Sequence, residues 1–572
     1  MNYKLEELRK SEHPISGAEA LVRSLLCEGV DTIFGYPGGG IMPAYDAIYH
    51  YKNDLRHILA RHEQGAIHAA QGYARVSGKI GVAIVTSGPG ATNAITGIAD
   101  AYADSTPLVC ITGQVGAKLL GSDAFQEVDI INISMAVTKW SFQITNVESI
   151  PEVISKAFLV ARSGRPGPVL IDIPKDIQFA TSPFEHHPFT EVLGIQQKPK
   201  LNGEILLKAS DLINSCQRPM LLVGQGVTLS NAESVLLEFA EKTGFPVAST
   251  LLGLSAFPCG HPQYVGMLGM HGNYAPNIQT NQCDLILAIG MRFDDRVTSD
   301  VSKYARNARV IHIDVDKSEL GKIVRCDIPI HADAKEALRA LISMVKSRKL
   351  EAWLDEFRKG LQIETEKVIN AQLFPKEGIT MGQVIRVLNE VTHGNAIIVT
   401  DVGQHQMIAS RYYNFLQNRS LVTSGGLGTM GFCLPASLGA KLGASSRTVI
   451  AVVGDGGIQM TIQELGTMAT EKIPVKIILL NNEYLGMVRQ WQEMFFDKRY
   501  SFVEMNNPDF GLIAKGYGIK YSKVVEQSSL TGSIKEMLEH NEPHLLEVLV
   551  VKEDNVFPMI PSGCAIDEIR LE

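Results

Sequence analysis

The sequence has 572 residues, of which 45% are hydrophobic and 20% are charged, and its formal net charge at pH 7 is −8. A chain of this length is too long for one hydrophobic core and predicts about three globular domains. Because no block of Lys and Arg stands out and every apolar run is too short to span a bilayer, nucleic acids and membranes are not expected as partners.

The first predicted domain, residues 1–180, is expected to be a doubly wound α/β unit. A helix capped by Ser16 begins at about Ala18, and several strands each end in a glycine-rich turn. The predicted strands are Thr32–Phe34, Gly81–Thr86, Leu108–Thr112 and one that begins at Val169. Repeated strand–turn–helix steps are typical of a parallel sheet that is covered by helices on both faces.

A helix rich in alanine and glycine opens with the text RHEQGA at residues 61–66. It has almost no charged face, so we expect it to be buried against another domain or subunit. A carboxylate on such a helix is costly unless it is paired or neutral, which makes Glu63 a candidate functional group. The alternative is an ordinary glutamate favoured by the dipole at a helix start. The residues alone leave both interpretations open.

Two predicted linkers, 181–201 and 348–378, divide the rest of the chain into a middle domain at 202–347 and a third domain at 379–551, with a tail at 552–572. The strands predicted there are Pro219–Val223, Asp284–Ile289, Val310–Val315 and Ala396–Thr400. Since the middle domain lacks a GxGxxG motif, it is either a nucleotide-binding sheet or a purely structural one. The charged stretch in the second linker is predicted to be a solvent-exposed helix.

The most informative stretch is residues 448–485, which indicates a strand, a glycine turn, a helix and a second strand. Asp455 lies in the GDGG turn after the first strand, and Asn482 follows the second. Glycines at a strand end let the backbone approach a ligand, and the next helix directs free N–H groups at the same place. Asp455 and Asn482 add the oxygen ligands that Mg²⁺ prefers. The pattern predicts a diphosphate bound through Mg²⁺, and the alternative is a plain turn with a helix-capping Asp.

GDGG followed by NN resembles the motif of the thiamine diphosphate (ThDP)-dependent enzymes. Read with YPGGGIMPAYDA, RHEQGAIHAAQGYAR, SDAFQE, GMRFDDRVT, GGLGTMGF and NNEYLGMVRQWQ in this order, the chain resembles the large catalytic subunits of the acetohydroxyacid synthase (acetolactate synthase) family. The resemblance covers residues 15–563. It implies three doubly wound parallel-sheet domains, which bind the pyrimidine, FAD and the Mg²⁺-diphosphate in chain order.

The resemblance also implies site residues. Glu63 matches the acid/base glutamate that contacts N1′ of the aminopyrimidine, and Asp455, Asn482 and the backbone carbonyl of Tyr484 match the metal ligands. In the family these two sets meet across a subunit boundary, so a dimer is the smallest active unit. The other implied ThDP residues are Gln404, His405, Gly428, Met430, Gly456 and Gly457.

On the acceptor side, Arg296 matches the cation that binds the substrate carboxylate, and the alternative is an ion pair with Asp294 or Asp295. Trp491 matches the residue that favours the larger acceptor. The other implied catalytic residues are Phe125, Gln126, Lys175 and Met270. FAD is expected to be bound by Arg165, Gly224, Gly226, Thr250, Leu251, His271, Gly290, Arg292, Asp314, Val315 and Asp333.

The implied reaction is decarboxylation of pyruvate and transfer of the two-carbon unit to pyruvate or 2-oxobutyrate, the first common step of branched-chain amino acid synthesis. A homodimer or homotetramer is implied, with a small regulatory subunit as a candidate partner. The eight scattered cysteines form no CxxC pair, and the N-terminus has no signal-peptide core. These features predict reduced thiols, a cytoplasmic location and no zinc site.

The nearest alternative function is a ThDP- and FAD-dependent pyruvate oxidase, against which Trp491 and Arg296 argue. Glyoxylate carboligases lack a glutamate at the position of Glu63. A binding or scaffold protein without catalysis is the alternative from another class, and the retention of Asp455 and Asn482 argues against it.

Overall fold

The computed structural model describes residues 5–191 and 198–572. Three six-stranded sheets follow one another along the chain, and the strands of each are parallel to their neighbours. This confirms the predicted fold class of doubly wound α/β domains. Each sheet lies within one predicted domain, whose limits stay predictions. Residues 1–4 of the first predicted domain and 192–197 of the first predicted linker lie outside the described residues.

The spatial order of the strands in each sheet differs from their order along the chain. From one edge to the other, the first sheet contains Arg56–Leu59, Thr32–Gly35, Gly81–Val85, Leu108–Gln114, Pro168–Pro174 and Trp140–Gln143. The second contains, in the same sense, Tyr264–Met267, Val247–Ser249, Pro219–Val223, Leu285–Ile289, Arg309–Asp314 and Ile328–His331. The third contains Leu421–Val422, Ile397–Thr400, Val449–Gly454, Lys476–Asn481, His544–Leu549 and Lys520–Val524. A short antiparallel pair joins Ile15–Ser16 to Thr181–Ser182.

Helices connect these strands. Those of the first region are Leu5–Arg9, Gly17–Cys27, Met42–His50, Glu63–Ser77, Pro89–Asn93, Ile95–Ala103, Ile130–Ser134, Ile150–Arg162 and Lys175–Phe179. Those of the middle and connecting regions are Gly203–Ser215, Gln225–Leu229, Glu233–Thr243, Tyr274–Thr280, Asp295–Thr298, Ala334–Met344, Glu351–Glu364 and Asn370–Leu373, with a π-helix at Thr365–Ile369. Those of the third region are Met381–Thr392, Gln404–Tyr412, Cys433–Gly443, Asp455–Met460, Glu464–Thr470, Gly486–Phe495, Phe510–Tyr517 and Gln527–Glu539.

The sequence predicted most central strands and none of the edge strands, and it also missed the central strands Val247–Ser249 and His544–Leu549. Pro219–Val223 has the predicted bounds, and every residue in it is buried. Trp140–Gln143 and Lys520–Val524 were not predicted. Edge strands are half exposed, so they lack the continuous apolar run by which a central parallel strand is recognised.

The predicted buried helix, Glu63–Ser77, packs against the helix Cys433–Gly443 of the third region. A Cβ on Gly72 would lie 1.9 Å from the carbonyl oxygen of Ala436, so only glycine permits this contact. This confirms that the helix is buried against another domain.

The connecting helix was predicted to be solvent-exposed, and that prediction is wrong. Trp353 and Phe357 on the helix Glu351–Glu364 are buried in a core that they share with the middle sheet. The indole N–H of Trp353 donates to the carbonyl oxygen of Pro219 at 2.8 Å. Apart from the buried Glu364 at its end, the charged residues of the helix lie on its outer face, which is the usual pattern of an amphipathic helix.

No helix in the described part of the chain is both long enough and apolar enough to cross a membrane.

Candidate active site

The strands Val449–Gly454 and Lys476–Asn481 are neighbours in the third sheet, parallel and paired as far as their carboxyl ends. Asp455 and Asn482, the residues that follow these strands, therefore emerge beside one another at one edge of the sheet. Both side chains are buried. In the same loop, the backbone N–H of Tyr484 donates to Oδ1 of Asn482 at 3.3 Å.

The carboxylate of Asp455 is oriented by a neighbouring amide. Asn507 donates through Nδ2 to Oδ2 of Asp455 at 2.7 Å and to Oδ1 of Asn481 at 3.0 Å. Burial raises the pKa of Asp455 to about 6, and a cation bound beside it would favour the ionised form. A carboxylate held in this way, next to an amide oxygen and backbone carbonyls, suits a magnesium ion that also binds diphosphate oxygens.

His405 lies beside the same strand ends, in the first turn of the helix Gln404–Tyr412. A Cβ on Gly454 would lie 3.0 Å from its Nδ1. Burial lowers the pKa of His405 to about 4, so the ring is neutral, and its buried Nε2 has no hydrogen-bond partner. A buried polar atom without a partner is costly, and an oxygen of a bound ligand would satisfy it. His405 therefore fits a diphosphate-binding role.

Met430 follows a glycine-rich loop, residues 424–429, in which Gly428 has a φ of +71°. A Cβ on Gly456 would lie 3.7 Å from Cε of Met430, so the tip of this methionine reaches the GDGG turn. The buried carboxylate of Asp401 accepts hydrogen bonds from the backbone N–H groups of Gly431 and Cys433 at 3.0 and 3.1 Å. These bonds fix the backbone directly after Met430.

A cavity of about 1040 Å³ lies at the carboxyl edge of the middle sheet and extends to the 424–430 loop. This volume is at the upper end of the range for small-molecule sites. Ten of the residues expected to bind FAD line it: Arg165, Gly226, Thr250, Leu251, His271, Gly290, Arg292, Asp314, Val315 and Asp333. Gly224 is not among the lining residues, but a Cβ on it would lie 2.2 Å from the carbonyl oxygen of Gly290. It therefore lets two strand ends approach each other below the cavity.

The pKa values of two neighbouring carboxylates, Asp314 of the cavity lining and Asp316 beside it, are shifted in opposite directions. Burial raises the pKa of Asp314 to about 6. Asp316 accepts hydrogen bonds from Ser318 and lies 3.6 Å from Arg165, and these contacts hold its pKa below the usual value although burial opposes them. Arg165 also donates to Glu319 at 3.1 Å. The guanidinium of Arg165 is thus fixed at the cavity wall by acidic neighbours.

The residues expected on the acceptor side line the same cavity. Arg296, Met270 and Trp491 all face it, together with Gly428 and Met430. Nη1 of Arg296 lies 3.2 Å from Sδ of Met270. The Nε of Arg296 is 3.7 Å from Asp295, but its side chain is 63% exposed. An exposed pair of this kind is weak, so the guanidinium is available to a carboxylate ligand.

Glu63 is the first residue of the helix Glu63–Ser77, and its environment belongs to the first domain. Asn93 donates through Nδ2 to Oε2 of Glu63 at 3.0 Å. Among the described residues, no hydrogen bond joins Glu63 to Asp455 or Asn482, and Glu63 does not line the cavity. Within the described part of one chain, neither a hydrogen bond nor the cavity lining brings Glu63 together with the candidate metal ligands.

The other first-domain residues that were expected to be catalytic also lie outside the cavity. Phe125 is 87% exposed in the loop after the 3₁₀ helix Ala117–Leu119. Gln126 has a φ of +61° and lies against Gly88. Lys175 is the first residue of the helix Lys175–Phe179. None of the three is among the residues that line the cavity within one chain.

Three residues that the sequence analysis did not single out contribute to the site. Asn507 orients Asp455 from a loop beyond the third sheet. Asp104, from the first domain, binds the loop that precedes Met430. Glu464 accepts a hydrogen bond from the backbone N–H of Arg61, two residues before Glu63, at 3.0 Å. Each acts through a long-range contact, and no local motif signals such a contact.

The described residues contain no group of three or more His, Cys, Asp or Glu side chains that could hold a metal ion. The predicted magnesium site contains only one side chain of these four types, Asp455. Its other ligands would be Asn482, a backbone carbonyl and diphosphate oxygens.

Three family models match successive parts of the chain. They describe the N-terminal TPP (thiamine pyrophosphate) binding domain, the central domain and the C-terminal TPP binding domain of thiamine pyrophosphate enzymes, over residues 15–133, 206–341 and 401–548. The candidate metal ligands fall in the third match and Glu63 in the first.

Three curated relatives are similar along almost the whole chain. The acetolactate synthase large subunit of Lactococcus lactis is 46% identical over 564 residues, which cover 98% of this chain and 97% of the relative. A probable acetolactate synthase large subunit of Methanocaldococcus jannaschii is 45% identical, with 97% and 95% covered. The large subunit of acetolactate synthase isozyme 2 of Escherichia coli is 43% identical, with 97% and 99% covered.

Proposed function

The chain belongs to the acetolactate synthase large subunits, within the thiamine pyrophosphate enzyme family, and from this premise we propose how its residues perform the reaction of that family. The enzyme decarboxylates pyruvate and joins the two-carbon unit to a second pyruvate or to 2-oxobutyrate. The products are 2-acetolactate and 2-aceto-2-hydroxybutyrate, precursors of the branched-chain amino acids. The observation that carries this function is the full-length similarity at 46% identity.

Asp455, Asn482 and the carbonyl of Tyr484 would hold Mg²⁺, and His405 would donate to a diphosphate oxygen from its otherwise unpartnered Nε2. These residues fit the group because they are buried together at neighbouring strand ends and present oxygen ligands and a neutral imidazole. When bound, ThDP supplies the electron sink for decarboxylation and carries the two-carbon unit to the acceptor. Gln404, Gly428, Gly456 and Gly457 complete the cradle.

Glu63 holds a proton at N1′ of the aminopyrimidine, and Met430 keeps the two rings of the cofactor in a fixed relative orientation. The supporting observation for Met430 is its reach to Gly456 beside the diphosphate turn. Because no hydrogen bond joins Glu63 to Asp455 in the described part of one chain, and because relatives of this family are implied to share the site across a subunit boundary, we place Glu63 of one protomer in the site of its partner. Phe125, Gln126 and Lys175 reach the site in the same way.

A homodimer is also favoured by apolar side chains exposed on the first domain. The most exposed of them are Met42, Tyr49, Phe125, Met135 and Phe179. Exposed apolar side chains mark an interface when they form one contiguous patch, which a dimer would bury. Light scattering at micromolar concentration checks the proposal, and a purely monomeric, fully active enzyme would contradict it.

Arg296 binds the carboxylate of the acceptor, and Trp491 contacts the extra methyl group of 2-oxobutyrate. Both residues line one cavity with Met430, which connects the acceptor side to the ThDP side. Met270 orients Arg296 through the 3.2 Å contact between Sδ and Nη1. The planar guanidinium suits bidentate binding of a carboxylate.

FAD occupies the rest of the cavity. Its phosphates and ribose groups are recognised by Arg165, Arg292 and backbone N–H groups at the ends of the middle strands, where parallel sheets bind nucleotides. A small regulatory subunit is a further candidate partner. The eight cysteines form no disulfide, which favours a cytoplasmic location, and cell fractionation that finds the protein in an oxidising compartment would argue against it.

An acetoin assay tests the function directly. The purified enzyme with ThDP, Mg²⁺ and FAD is given pyruvate alone, and the acetolactate formed is converted to acetoin and measured. Addition of 2-oxobutyrate should then lower the acetolactate yield in favour of 2-aceto-2-hydroxybutyrate. Rapid stoichiometric bleaching of the flavin by pyruvate without oxygen, with no acetolactate, would instead identify a pyruvate oxidase.

A further inference from the structure

The carboxylate of Asp104 in the first domain binds a loop of the third domain. Asp104 follows the helix Ile95–Ala103 and is buried. Its Oδ2 accepts from the backbone N–H of Gly425 at 2.9 Å, and its Oδ1 accepts from the backbone N–H of Gly426 at 2.6 Å. Both amides belong to the 424–430 loop, which lines the cavity and ends at Met430.

Arg75 extends this contact. Its Nη2 donates to Oδ2 of Asp104 at 2.7 Å, and the two side chains are 8% and 0% exposed. Its Nη1 donates to the carbonyl oxygen of Thr423, the residue directly before the loop. One ion pair of the first domain therefore holds the backbone of three residues of the third domain, Thr423, Gly425 and Gly426.

Asp100, one helical turn earlier, binds both ends of the same loop. Its Oδ1 accepts from the hydroxyl of Ser424 and from the hydroxyl of Thr429 at 3.0 Å. Arg292 of the cavity wall lies close to the same part of the loop, since a Cβ on Gly426 would lie 2.9 Å from Oδ1 of Asp104 and 3.2 Å from Nη2 of Arg292. The loop is thus fixed between the acidic residues of one domain and an arginine of the cavity wall.

We propose that Asp104 is a positioning residue of the cofactor cleft, which together with Arg75 sets the conformation of the 424–430 loop and so the location of Gly428 and Met430. The backbone of this loop makes few other contacts that could replace the carboxylate, because it is rich in glycine and exposes its other face to the cavity. The proposal depends on the proposed function in one respect, namely that this cleft binds the cofactor.

Asp104→Asn tests the proposal with a side chain of equal size. A carboxylate accepts at both oxygens, whereas an amide has one acceptor and one NH₂ donor, so one loop N–H faces a donor. The charge-assisted bond that is lost predicts a rise of about tenfold or more in the concentration of ThDP, with Mg²⁺ present, that half-saturates the enzyme. The same rise is expected in the dissociation constant of FAD, measured by quenching of flavin fluorescence.

Asp104→Asn leaves the buried charge of Arg75 without its carboxylate, which could itself impair folding. A second variant therefore distinguishes a loss of loop positioning from a loss of folding. Arg75→Gln with Asp104→Asn removes both charges and keeps the shape of the pair. We expect this double variant to keep its circular dichroism spectrum and to bind both cofactors weakly. The proposal is overturned if the folded double variant binds ThDP and FAD with the affinities of the unchanged enzyme.

Glu471→Gln provides the matched control. Glu471 pairs with Arg56 at 3.2 Å and also joins the first and third domains, but on the surface and away from the loop. It should leave the affinities for both cofactors unchanged, and equal weakening by this variant would show that Asp104 acts only through domain packing. A failure of the unchanged enzyme to form acetolactate would count against the proposed function and not against the role of Asp104.

Discussion

Arg411 and Glu364 form an ion pair in which both side chains are completely buried. Arg411 lies in the last turn of the helix Gln404–Tyr412 and also donates to the carbonyl oxygens of His271 and Gly272 at 3.2 and 2.8 Å. Glu364 ends the connecting helix and accepts from the backbone N–H of Tyr274 at 2.6 Å. The pair therefore joins the helix of the diphosphate site, the connecting helix and the His271 loop of the cavity.

Removing one partner of this pair should be strongly destabilising. Arg411→Met leaves the carboxylate of Glu364 buried and unpaired, which is expected to lower the free energy of unfolding by about 3–5 kcal/mol. Urea denaturation followed by tryptophan fluorescence measures the change. In Arg411→Met with Glu364→Met no unpaired charge remains, so most of the loss should be recovered. Arg358→Met, which removes an exposed ion pair with Asp355, is the control and should change little. A single variant as stable as the unchanged protein would show that the buried pair is not needed.

Glu63→Gln should keep the fold and the affinities for ThDP and FAD but lose most of the turnover. A positioned acid/base group contributes about 10²–10⁴-fold to rate, and glutamine cannot hold or transfer the proton. The measurement is kcat at saturating pyruvate and cofactor, with thermal unfolding as a check on folding. Near-full turnover would remove Glu63 from the mechanism.

Hybrid dimers test where Glu63 acts. If Glu63 serves the partner's site, a hybrid of one Glu63→Gln subunit and one Asp455→Ala subunit contains one intact site and one doubly altered site. Activity should return when the two inactive variants are mixed under conditions that exchange subunits. If Glu63 and Asp455 act within one chain, every site of the hybrid is defective and no activity returns.

Asp455→Ala should abolish the dependence of cofactor binding on Mg²⁺. The variant loses a metal ligand, and the amide of Asn507 loses its acceptor at 2.7 Å. Titration of ThDP in the presence and absence of Mg²⁺, followed by intrinsic fluorescence, provides the readout, and the unchanged enzyme should bind ThDP much more tightly with the metal. Equal binding by the variant and the unchanged enzyme with Mg²⁺ would place the metal elsewhere.

Trp491→Ala should lower the preference for 2-oxobutyrate over pyruvate as acceptor. A methyl group in an apolar pocket contributes roughly 1–3 kcal/mol to discrimination, or about 10–200-fold. Competition between the two acceptors, with both products quantified, gives the ratio. Phe495→Leu is a milder control. It changes the ring that packs beside Trp491, with ring centroids 5.3 Å apart, and keeps Trp491 itself. An unchanged product ratio in Trp491→Ala would exclude this residue from acceptor selection.

Glu464 makes stability depend on pH. Burial raises its pKa to about 7 from an ordinary value of 4.5. The hydrogen bonds around Glu464 also fit its protonated form. The hydroxyl of Thr467 lies 2.8 Å from Oε2 of Glu464 and 3.1 Å from the carbonyl oxygen of Leu59, and the single hydroxyl proton of Thr467 can be donated to only one of these two oxygens. A protonated Glu464 donates to Thr467, which then donates to Leu59.

The folded protein therefore binds a proton at Glu464 more tightly than the unfolded chain does. The stability that this group contributes is fully present below pH 4.5 and is lost as the pH rises through about 7. Glu464→Gln keeps both hydrogen bonds at every pH, so it should be more stable than the unchanged protein at pH 8, by roughly 3 kcal/mol at most. Thermal unfolding of both proteins from pH 5 to 8 measures the difference, and parallel pH profiles would contradict it.

The sequence by itself was sufficient to predict the three-sheet fold class. It also predicted that Asp455 and Asn482 lie close together at one sheet edge. Central parallel strands are continuous apolar runs, and residues that follow two neighbouring strands must emerge at the same sheet edge. The same reasoning missed the edge strand Lys520–Val524, which is only half buried, and it misjudged the connecting helix that buries Trp353.

Only the tertiary structure decided how the regions hold one another. Arg411 and Glu364 are 47 residues apart, and Asp104 and Gly425 are 321 residues apart. The hydrophobic period of a helix or strand does not predict such pairs, because they form between elements that are distant in the sequence. Likewise, domain packing decides that Glu63 binds Asn93 and that Asp455 binds Asn507. Local periodicity reports which face of an element is buried, but it does not report which distant element covers that face.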